Sequence, residues 1–272
     1  MALRPSPDRT PRVPLDAERL CAQVLAPDSL WSGLTVLSSI GSTNVEMADR
    51  ARRGAADGDV LVAEEQTAGR GRHDRGWSAP TFSSAMLSVL VRPPPPSSRW
   101  GWIPLLTGLA VVDALTVRGV TAGLKWPNDV MVGGRKLGGV LCEVVPTPTG
   151  SAVVAGWGVN VDQEAGELPV EAATSVLLAG GSVDRSALVV EMLTAWERWY
   201  RRWERGEATV AETYAEYSST LGQIVRAHLP DGAQIEGLAA GISDSGGLVI
   251  DVDGREREVA AADVVHLRPA PP

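Results

Sequence analysis

The secondary-structure signals change near residue 220, and this change most constrains what the chain can fold into. Before it, apolar runs typical of strands alternate with segments of helical periodicity. After it, short strand-like runs follow one another closely, as in a small all-β barrel. We therefore predict a mixed α/β domain at 15–220 and a small barrel at 221–272. The runs in the second part are 224–228, 234–242, 248–252 and 255–259.

The first part predicts a sheet covered by helices. Thr43 followed by Glu46 predicts a capping box at a helix start. The tryptophans of 186–205 recur at helical spacing, which predicts a core-facing stripe rather than a ligand cage. The predicted helices are 15–26, 43–54, 102–117, 186–205 and 208–219, and the predicted strands are 36–40, 60–63, 85–91, 124–132, 136–145 and 151–161.

Composition and charge argue against several classes of protein. The 25 basic and 33 acidic residues give a net charge of −8, which disfavours broad binding to a phosphate backbone. The proline-rich segment 1–14 predicts a disordered tail with no room for a helix-turn-helix, so we expect no DNA partner. No apolar run reaches ~18 residues and no signal-peptide pattern is present. Two distant cysteines fit a reducing cytoplasm, and no His/Cys cluster predicts a metal site.

Two residue types are scarce, and their positions are informative. Of the 25 basic residues only Lys125 and Lys136 are lysines, and the three asparagines are Asn44, Asn128 and Asn160. Arginine cannot replace lysine where a compact ammonium is needed, and asparagine offers a donor and an acceptor on one short amide. The scarcity points to 42–46, 125–136 and 156–161 as candidate sites.

A Gly/Arg-rich loop lies between two apolar strands. Segment 66–77 reads Gln-Thr-Ala-Gly-Arg-Gly-Arg-His-Asp-Arg-Gly-Trp. Glycines let backbone N–H groups approach an anion, and arginines offer planar forks for carboxylate or phosphate oxygens. The pattern favours a loop that closes over an anionic ligand. An exposed Arg/Gly loop that contacts protein or nucleic acid remains the alternative.

Three further segments carry candidate ligand contacts. In Lys125-Trp-Pro-Asn-Asp129 the ammonium follows a strand and precedes a stiff turn, so it is positioned to stabilise an anion; a plain strand-end turn is the alternative. In Gly156-Trp-Gly-Val-Asn160, glycines and an asparagine share one strand face, which suits a flat ligand or close helix packing. Gly41-Ser-Thr-Asn44 is either a helix cap or a polar site at a helix start.

In this order, the segments resemble bacterial biotin protein ligases (biotin–[acetyl-CoA-carboxylase] ligases). The resemblance covers about residues 36–165 and rests on Ser42-Thr-Asn44, 66–72, Lys125-Trp-Pro-Asn-Asp129, Lys136-Leu-Gly-Gly139 and 156–160. It implies a mixed-sheet catalytic domain related to class II aminoacyl-tRNA synthetases and a C-terminal SH3-like barrel. It further implies a ligase-only protein that forms biotinyl-5′-AMP from biotin and ATP with Mg²⁺, and then transfers biotin to a lysine of a biotin carboxyl carrier protein.

The resemblance also implies residue roles. Lys125 bridges the biotin carboxylate and the α-phosphate, and with Arg72 it is a catalytic residue. Trp77 packs near the nucleotide and Asn160 contacts adenine. Arg72 and Arg75 reach the phosphate. The remaining biotin-site residues are Ser42, Thr43, Asn44 and Gln66 around the polar ring, and Arg70 and Gly71 in the closing loop.

Two departures and two alternatives remain. Asp74 stands where the family loop has glycine, which places a carboxylate among three arginines, and Ala79 stands where the family loop has serine. A lipoate- or octanoate-handling relative is disfavoured by the combined Gly-Arg-Gly-Arg and Lys-Trp-Pro-Asn-Asp motifs. A non-enzymatic biotin sensor is disfavoured because binding alone does not require Lys125, Arg72 and Arg75.

Overall fold

A computed structural model describes residues 11–73, 75–94, 96–260 and 262–267. Its larger part is a seven-stranded sheet in the order β1-β2-β5-β9-β8-β7-β6, in which only β1 and β2 pair in parallel. The predicted mixed α/β architecture is confirmed. The sheet strands are β1 Gly33–Leu37, β2 Asp59–Ala63, β5 Ser84–Val91, β6 Gly123–Lys125, β7 Asp129–Val132, β8 Arg135–Thr147 and β9 Gly150–Asn160; β3 Gly69–Arg70 and β4 Gly76–Trp77 form a separate ribbon.

Helices cover both faces of this sheet because its central strands are apolar on both sides. Alternate residues of β2 show the division: Val60 and Val62 face the larger core, whereas Leu61 packs with Met47 on the other face. Helix α2 supplies that second layer, and α3 and α4 cover the first. The helices are α1 Ala17–Val24, α2 Thr43–Arg52, α3 Ile103–Val117, α4 Arg185–Glu204 and α5 Thr209–Tyr217.

Helix α3 is the central helix of the larger core. Within the part of the chain that the structure describes, Ser97–Val117 is one helical stretch long and apolar enough to cross a membrane by length and composition. It is apolar all round because it lies between the sheet and α4. Trp196 of α4 donates through Nε1 to Thr107 Oγ1 at 2.9 Å and is fully buried. The prediction that the α4 tryptophans belong to the core is therefore confirmed.

The predicted C-terminal all-β unit is a five-stranded antiparallel sheet in the order β13-β12-β11-β10-β14. The last strand was not predicted, and the pairings among the described residues leave β13 and β14 as edges rather than closing a barrel. The strands are β10 Ile224–His228, β11 Gln234–Ile242, β12 Leu248–Val252, β13 Arg255–Val259 and β14 Asp263–His266.

The C-terminal sheet meets the larger domain at close backbone contacts between the segment before α3 and the β11–β12 turn. A Cβ added to Gly101 would overlap the Ser245 carbonyl oxygen, and one added to Gly246 would lie 2.7 Å from the Trp102 nitrogen. The buried Trp126 donates through Nε1 to the Gly246 carbonyl at 3.3 Å. The C-terminal sheet is therefore held against the start of α3 and the turn after β6.

Several local predictions need correction. Ser42, not Thr43, is the N-cap of α2, and no side-chain capping bond forms; the Thr43 N–H donates to Gln66 instead. The predicted strand 124–132 is divided by a turn at Trp126–Pro127 into β6 and β7. Helix α1 ends at Val24, and the adjacent Leu25 is exposed rather than inward.

Part of the predicted tail is docked. Residues 1–10 lie outside the described residues, but Arg12 forms an ion pair with Glu167 at 2.5 Å and donates to the Asp162 carbonyl. The Val13 carbonyl accepts from Arg185 at 2.6 Å. Residues 11–14 therefore have no regular structure but are held by buried and half-buried polar groups.

Candidate active site

One cavity of about 650 Å³ brings the predicted site residues together. Its walls come from the start of α2, the 66–78 loop, strands β6 to β9 and strand β14 of the C-terminal sheet. Lys125 and the three loop arginines face the same cavity. The predicted residues that line it are Ser42, Thr43, Asn44, Gln66, Arg70, Gly71, Arg72, Arg75, Trp77, Lys125 and Asn160.

A polar network forms one end of the cavity. Gln66 Oε1 accepts from the Thr43 N–H at 2.7 Å, and the Thr43 hydroxyl lies 2.8 Å from Ser88 Oγ. Ser88 Oγ also lies 2.6 Å from Asn44 Oδ1. Asn44 Nδ2 donates to the Leu141 carbonyl and to Glu143, each at 3.0 Å. These hydrogen bonds fix the side chains at the start of α2, so they present fixed donors and acceptors to a ligand.

The glycines of β9 seat two cavity side chains. A Cβ on Gly156 would overlap Asn44 Oδ1, and one on Gly158 would lie 2.6 Å from Trp77 Cε2. Asn160 shares this strand face, as predicted from the period of two. The flat face therefore holds an amide and an indole ring that themselves line the cavity.

The Gly/Arg-rich loop is folded over the cavity. Residues Gly69–Arg70 pair with Gly76–Trp77 as an antiparallel ribbon, which was not predicted. Arg70 pairs with Glu143 at 3.3 Å. The substituted position 74 lies outside the described residues.

The other loop cations contact the edge of the C-terminal sheet. Arg72 donates to Asn128 Oδ1 and to the Ala262 carbonyl, both at 3.3 Å. Burial lowers the pKa of the Arg72 guanidinium, and the nearby Asp263 carboxylate opposes that shift. Arg75 and His73 both face Asp263. The loop cations are thus held by carbonyl and carboxylate oxygens, and phosphate oxygens could accept the same hydrogen bonds.

The two lysines have different surroundings. Lys136 forms an ion pair with Asp129 across the β7–β8 hairpin. Lys125, at the end of β6, lines the cavity, and its ammonium forms no hydrogen bond or ion pair with any residue that the structure describes. Burial and then the Lys125 charge lower the pKa of His266, on β14. An ammonium without an acidic partner is suited to hold an incoming anion.

Asn160 is held from both sides at the far end of the cavity. Its Nδ2 donates to the Thr174 carbonyl at 3.0 Å, and its Oδ1 accepts from Gln163 Nε2 at 3.1 Å. Asn160 is about 5% exposed. One amide proton and one oxygen lone pair remain for another partner.

Sequence reasoning missed four residues that organise the site. Glu143 had a signal, because it is a lone charge in the apolar run of β8. Gln163 had a weaker signal, namely that it is a polar residue three positions after the candidate Asn160. Ser88 and Asp263 had none, since their contacts depend on tertiary packing. Among the described residues, no group of three His, Cys, Asp or Glu side chains suits a metal ion.

Comparisons with known proteins agree with this geometry. Residues 37–160 match the Biotin/lipoate A/B protein ligase family, and residues 220–267 match the biotin protein ligase C terminal domain. The chain is 42% identical over 263 residues to a biotin–[acetyl-CoA-carboxylase] ligase of Mycobacterium tuberculosis, covering 94% of this chain and 97% of the relative. It is 31% identical to the bifunctional ligase/repressor BirA of Bacillus subtilis, covering 84% of this chain and 71% of that protein.

Solved structures show the same fold. A biotin protein ligase from Aquifex aeolicus, in complex with biotin and ATP, superposes with a TM-score of 0.74 at 26% identity, and the match covers 88% of this chain and all of that one. The similarity spans both the seven-stranded domain and the C-terminal sheet. By these matches, the chain belongs to the biotin protein ligase family.

Proposed function

We propose that the protein is an ATP-dependent biotin–protein ligase. In the first step a carboxylate oxygen of biotin attacks the α-phosphorus of ATP, the bond to the β-phosphate oxygen breaks, and pyrophosphate leaves. In the second step a lysine amine of a carrier attacks the acyl carbon of biotinyl-5′-AMP. The amine loses a proton, an amide bond forms, and AMP departs with the electrons of the broken C–O bond.

The observation that carries this proposal is the position of Lys125. Its ammonium faces the same cavity as Arg72 and Arg75 and has no acidic partner among the described residues. Two anions, a carboxylate and a triphosphate, must meet before the first step, and fixed cations offset their repulsion. We assign Lys125 to a position where it contacts both the carboxylate oxygens of biotin and the α-phosphate oxygens of ATP. Arg72 and Arg75 contact the phosphates.

The polar end of the cavity is the proposed site for the ring of biotin. Gln66, Thr43 and Asn44 supply amide and hydroxyl groups whose positions are fixed by internal hydrogen bonds, and Ser42 adds a further hydroxyl. Arg70 and Gly71 of the loop would cover the bound chain. Such a pre-arranged set of donors and acceptors suits a cyclic urea, which has both N–H groups and a carbonyl oxygen.

The nucleotide is assigned to the other side of the cavity. Trp77 lies against Gly158 and offers its indole face to a base, and Asn160 offers its remaining amide groups. Mg²⁺ would enter as MgATP, as part of the substrate. The fit favours this, because Asp129 and Asp263, which face the cavity, are already paired with Lys136 and Arg75, and Mg²⁺ is commonly held through phosphates and few carboxylates.

The proposed partner is a biotin carboxyl carrier protein or domain of acetyl-CoA carboxylase or a related enzyme. This rests on relatives named biotin–[acetyl-CoA-carboxylase] ligase in Mycobacterium tuberculosis and Paracoccus denitrificans. We assign the catalytic domain to 15–220 and the SH3-like unit to 221–272, and we place the protein in the cytoplasm with no membrane or DNA partner.

A carrier-modification assay tests the proposal. The full chain is incubated with MgATP, biotin and a carrier domain, and the carrier is weighed by mass spectrometry. We expect the mass of one biotinyl group on wild-type carrier and none on a carrier whose acceptor lysine is replaced by arginine. Modification with lipoate but not biotin would establish the lipoate alternative instead. Tight biotin binding without pyrophosphate release would establish a sensor.

A further inference from the structure

The three scarce asparagines share one arrangement. Each side chain donates through Nδ2 to a backbone carbonyl, and each Oδ1 lies opposite a side-chain donor. Because a carbonyl only accepts and cannot turn over, this arrangement fixes which way each amide faces. Asn44 lies between the Leu141 carbonyl and the Ser88 hydroxyl. Asn128 lies between the Val140 carbonyl and the Arg72 guanidinium. Asn160 lies between the Thr174 carbonyl and the Gln163 amide.

At Asn160 the second constraint comes from a buried residue outside the cavity lining. Gln163 is about 1% exposed, and its Nε2 donates to Asn160 Oδ1 at 3.1 Å and to Ser84 Oγ at 2.6 Å. Both protons of the Gln163 amide are therefore used, whereas its Oε1 is buried without a hydrogen-bond partner, so the orientation of this amide depends on Ser84 Oγ accepting from it. If the Asn160 amide turned over, its oxygen would face the Thr174 carbonyl and its N–H groups would face the Gln163 N–H groups.

We propose that Gln163 is a positioning residue that sets the base specificity of the site. This rests on the proposed function, in which Asn160 meets the base of ATP. With its orientation fixed, Asn160 offers an oxygen lone pair and an N–H side by side. Adenine is complementary along the edge that carries N1, because its exocyclic amino group donates and N1 accepts.

A 6-oxo purine presents the opposite atoms at that position. Its exocyclic oxygen accepts, and its N1 carries a proton, so it would place an acceptor against Asn160 Oδ1. The mismatch is relieved only if the amide turns over. The Thr174 carbonyl opposes that rotation directly, and Gln163 opposes it as long as Ser84 Oγ holds the Gln163 amide in place. Removing the Gln163 amide leaves the Thr174 carbonyl as the single constraint on the orientation of the Asn160 amide. An Asn160 amide that turns over more readily discriminates less between adenine and a 6-oxo purine.

The test compares ATP with inosine triphosphate, which carries the 6-oxo group without the bulky 2-amino group of guanine. Biotin-dependent pyrophosphate release gives kcat/KM for each nucleotide with wild type and Gln163→Leu. We expect the ratio of kcat/KM for ATP over inosine triphosphate to fall by about tenfold in Q163L, the effect of one buried hydrogen bond. Biotin affinity without nucleotide should stay within about twofold, because Gln163 lies apart from the Thr43–Asn44 network.

Ser175→Ala is the matched control. Ser175 is buried and donates to the Gln163 backbone carbonyl at 2.6 Å, so its loss loosens the same segment without touching the Gln163 amide. Because Ser175 follows Thr174, whose carbonyl holds Asn160 Nδ2, S175A should lower the ratio by less than Q163L does. An equal fall of the ratio in S175A, or an unchanged ratio in Q163L, would overturn the proposal.

A second variant keeps the test decisive if Q163L does not fold. Ser84→Ala removes the other acceptor of Gln163 Nε2 and changes little volume. We expect it to lower the nucleotide ratio by about threefold, and an unchanged ratio would count against the proposal. Failure of the proposed function has a different signature, since the wild-type protein would then release no pyrophosphate from ATP and biotin.

Discussion

Gly156→Ala should selectively destroy the polar end of the cavity. The added methyl group would overlap Asn44 Oδ1 and lie 2.8 Å from Asn44 Cγ and 3.0 Å from Ser88 Oγ. Asn44 is buried, and it lies in the first turn of α2, so it cannot move aside without losing its partners. It would give up its hydrogen bonds to Leu141, Glu143 and Ser88. At about 1 kcal/mol for each, the unfolding free energy should fall by about 3 kcal/mol.

Gly158→Ala is the matched variant on the same face of the same strand. Its methyl group would lie 2.6 Å from Trp77 Cε2, so the ring must move by about 1 Å to restore ordinary carbon contact. Trp77 belongs to a surface loop, and this loop can shift to accommodate the displaced ring. We therefore expect a loss of less than about 1 kcal/mol in unfolding free energy, with weakened nucleotide binding and near-normal biotin binding.

Urea unfolding and calorimetric titration separate the two outcomes. Unfolding midpoints give the stability change, and separate titrations with biotin and with a non-hydrolysable ATP analogue give the two affinities. G156A should lose biotin binding and stability together, whereas G158A should lose mainly nucleotide affinity. The reasoning is refuted if G156A binds biotin as tightly as wild type, or if the two variants cannot be distinguished by ligand.

Three other perturbations have defined outcomes. Lys125→Ala should slow biotin-dependent pyrophosphate release by about 10²–10³-fold, because an anion-stabilising charge is lost, with an unchanged melting temperature; a wild-type rate would remove Lys125 from the mechanism. Burial and Lys125 lower the pKa of His266 from about 6.5, so the unfolded state binds the proton more readily, and the unfolding free energy should fall as the pH drops below about 6.5. His266→Gln should flatten the dependence of the unfolding free energy on pH between pH 7 and 5, and an identical dependence would contradict this assignment. Glu64→Gln leaves the buried Arg185 without its 2.6 Å carboxylate partner and should cost about 3–5 kcal/mol; adding Arg185→Met should recover part of that loss, and additive losses in denaturant unfolding would refute the pairing.

Most of the sheet and the helices followed from local patterns, but the predicted strand 36–40 lies three residues later than β1, and 124–132 forms two strands instead of one. The β9 and α4 segments were predicted within about one residue of their bounds, since long buried runs leave little choice of register. Strand β14 was missed because its Asp-Val-Val-His sequence lacks a clear alternation and ends close to the chain terminus. The Thr43 cap was wrong because the helix already begins at Thr43, and Gln66, 23 positions away, accepts from the Thr43 N–H in place of the Glu46 side chain of the predicted capping box.

The residues that line the cavity were more predictable than the residues that hold those lining side chains in place. Lys125, Arg72 and Asn160 lie in segments whose composition departs from the rest of the chain, so the sequence pointed to them directly. Glu143, Gln163 and Ser88 act by holding other side chains, and their partners are set by strand register and the fold of the 161–176 segment. A single sequence shows such residues only as ordinary polar positions.

The contact between Gly101 and Gly246 bears on how molecules enter and leave the cavity. Two backbones touching without side chains between them, next to the Trp126 indole, form a rigid seam that resists a swinging motion of the C-terminal sheet. The cavity wall that includes Asp263 is then fixed, and the ribbon of Gly69–Arg70 and Gly76–Trp77 is the part of the wall that moves. The rate at which a small molecule enters and leaves the cavity should accordingly depend on the stiffness of that ribbon. A cross-link between Gly101 and Gly246 should leave this rate unchanged.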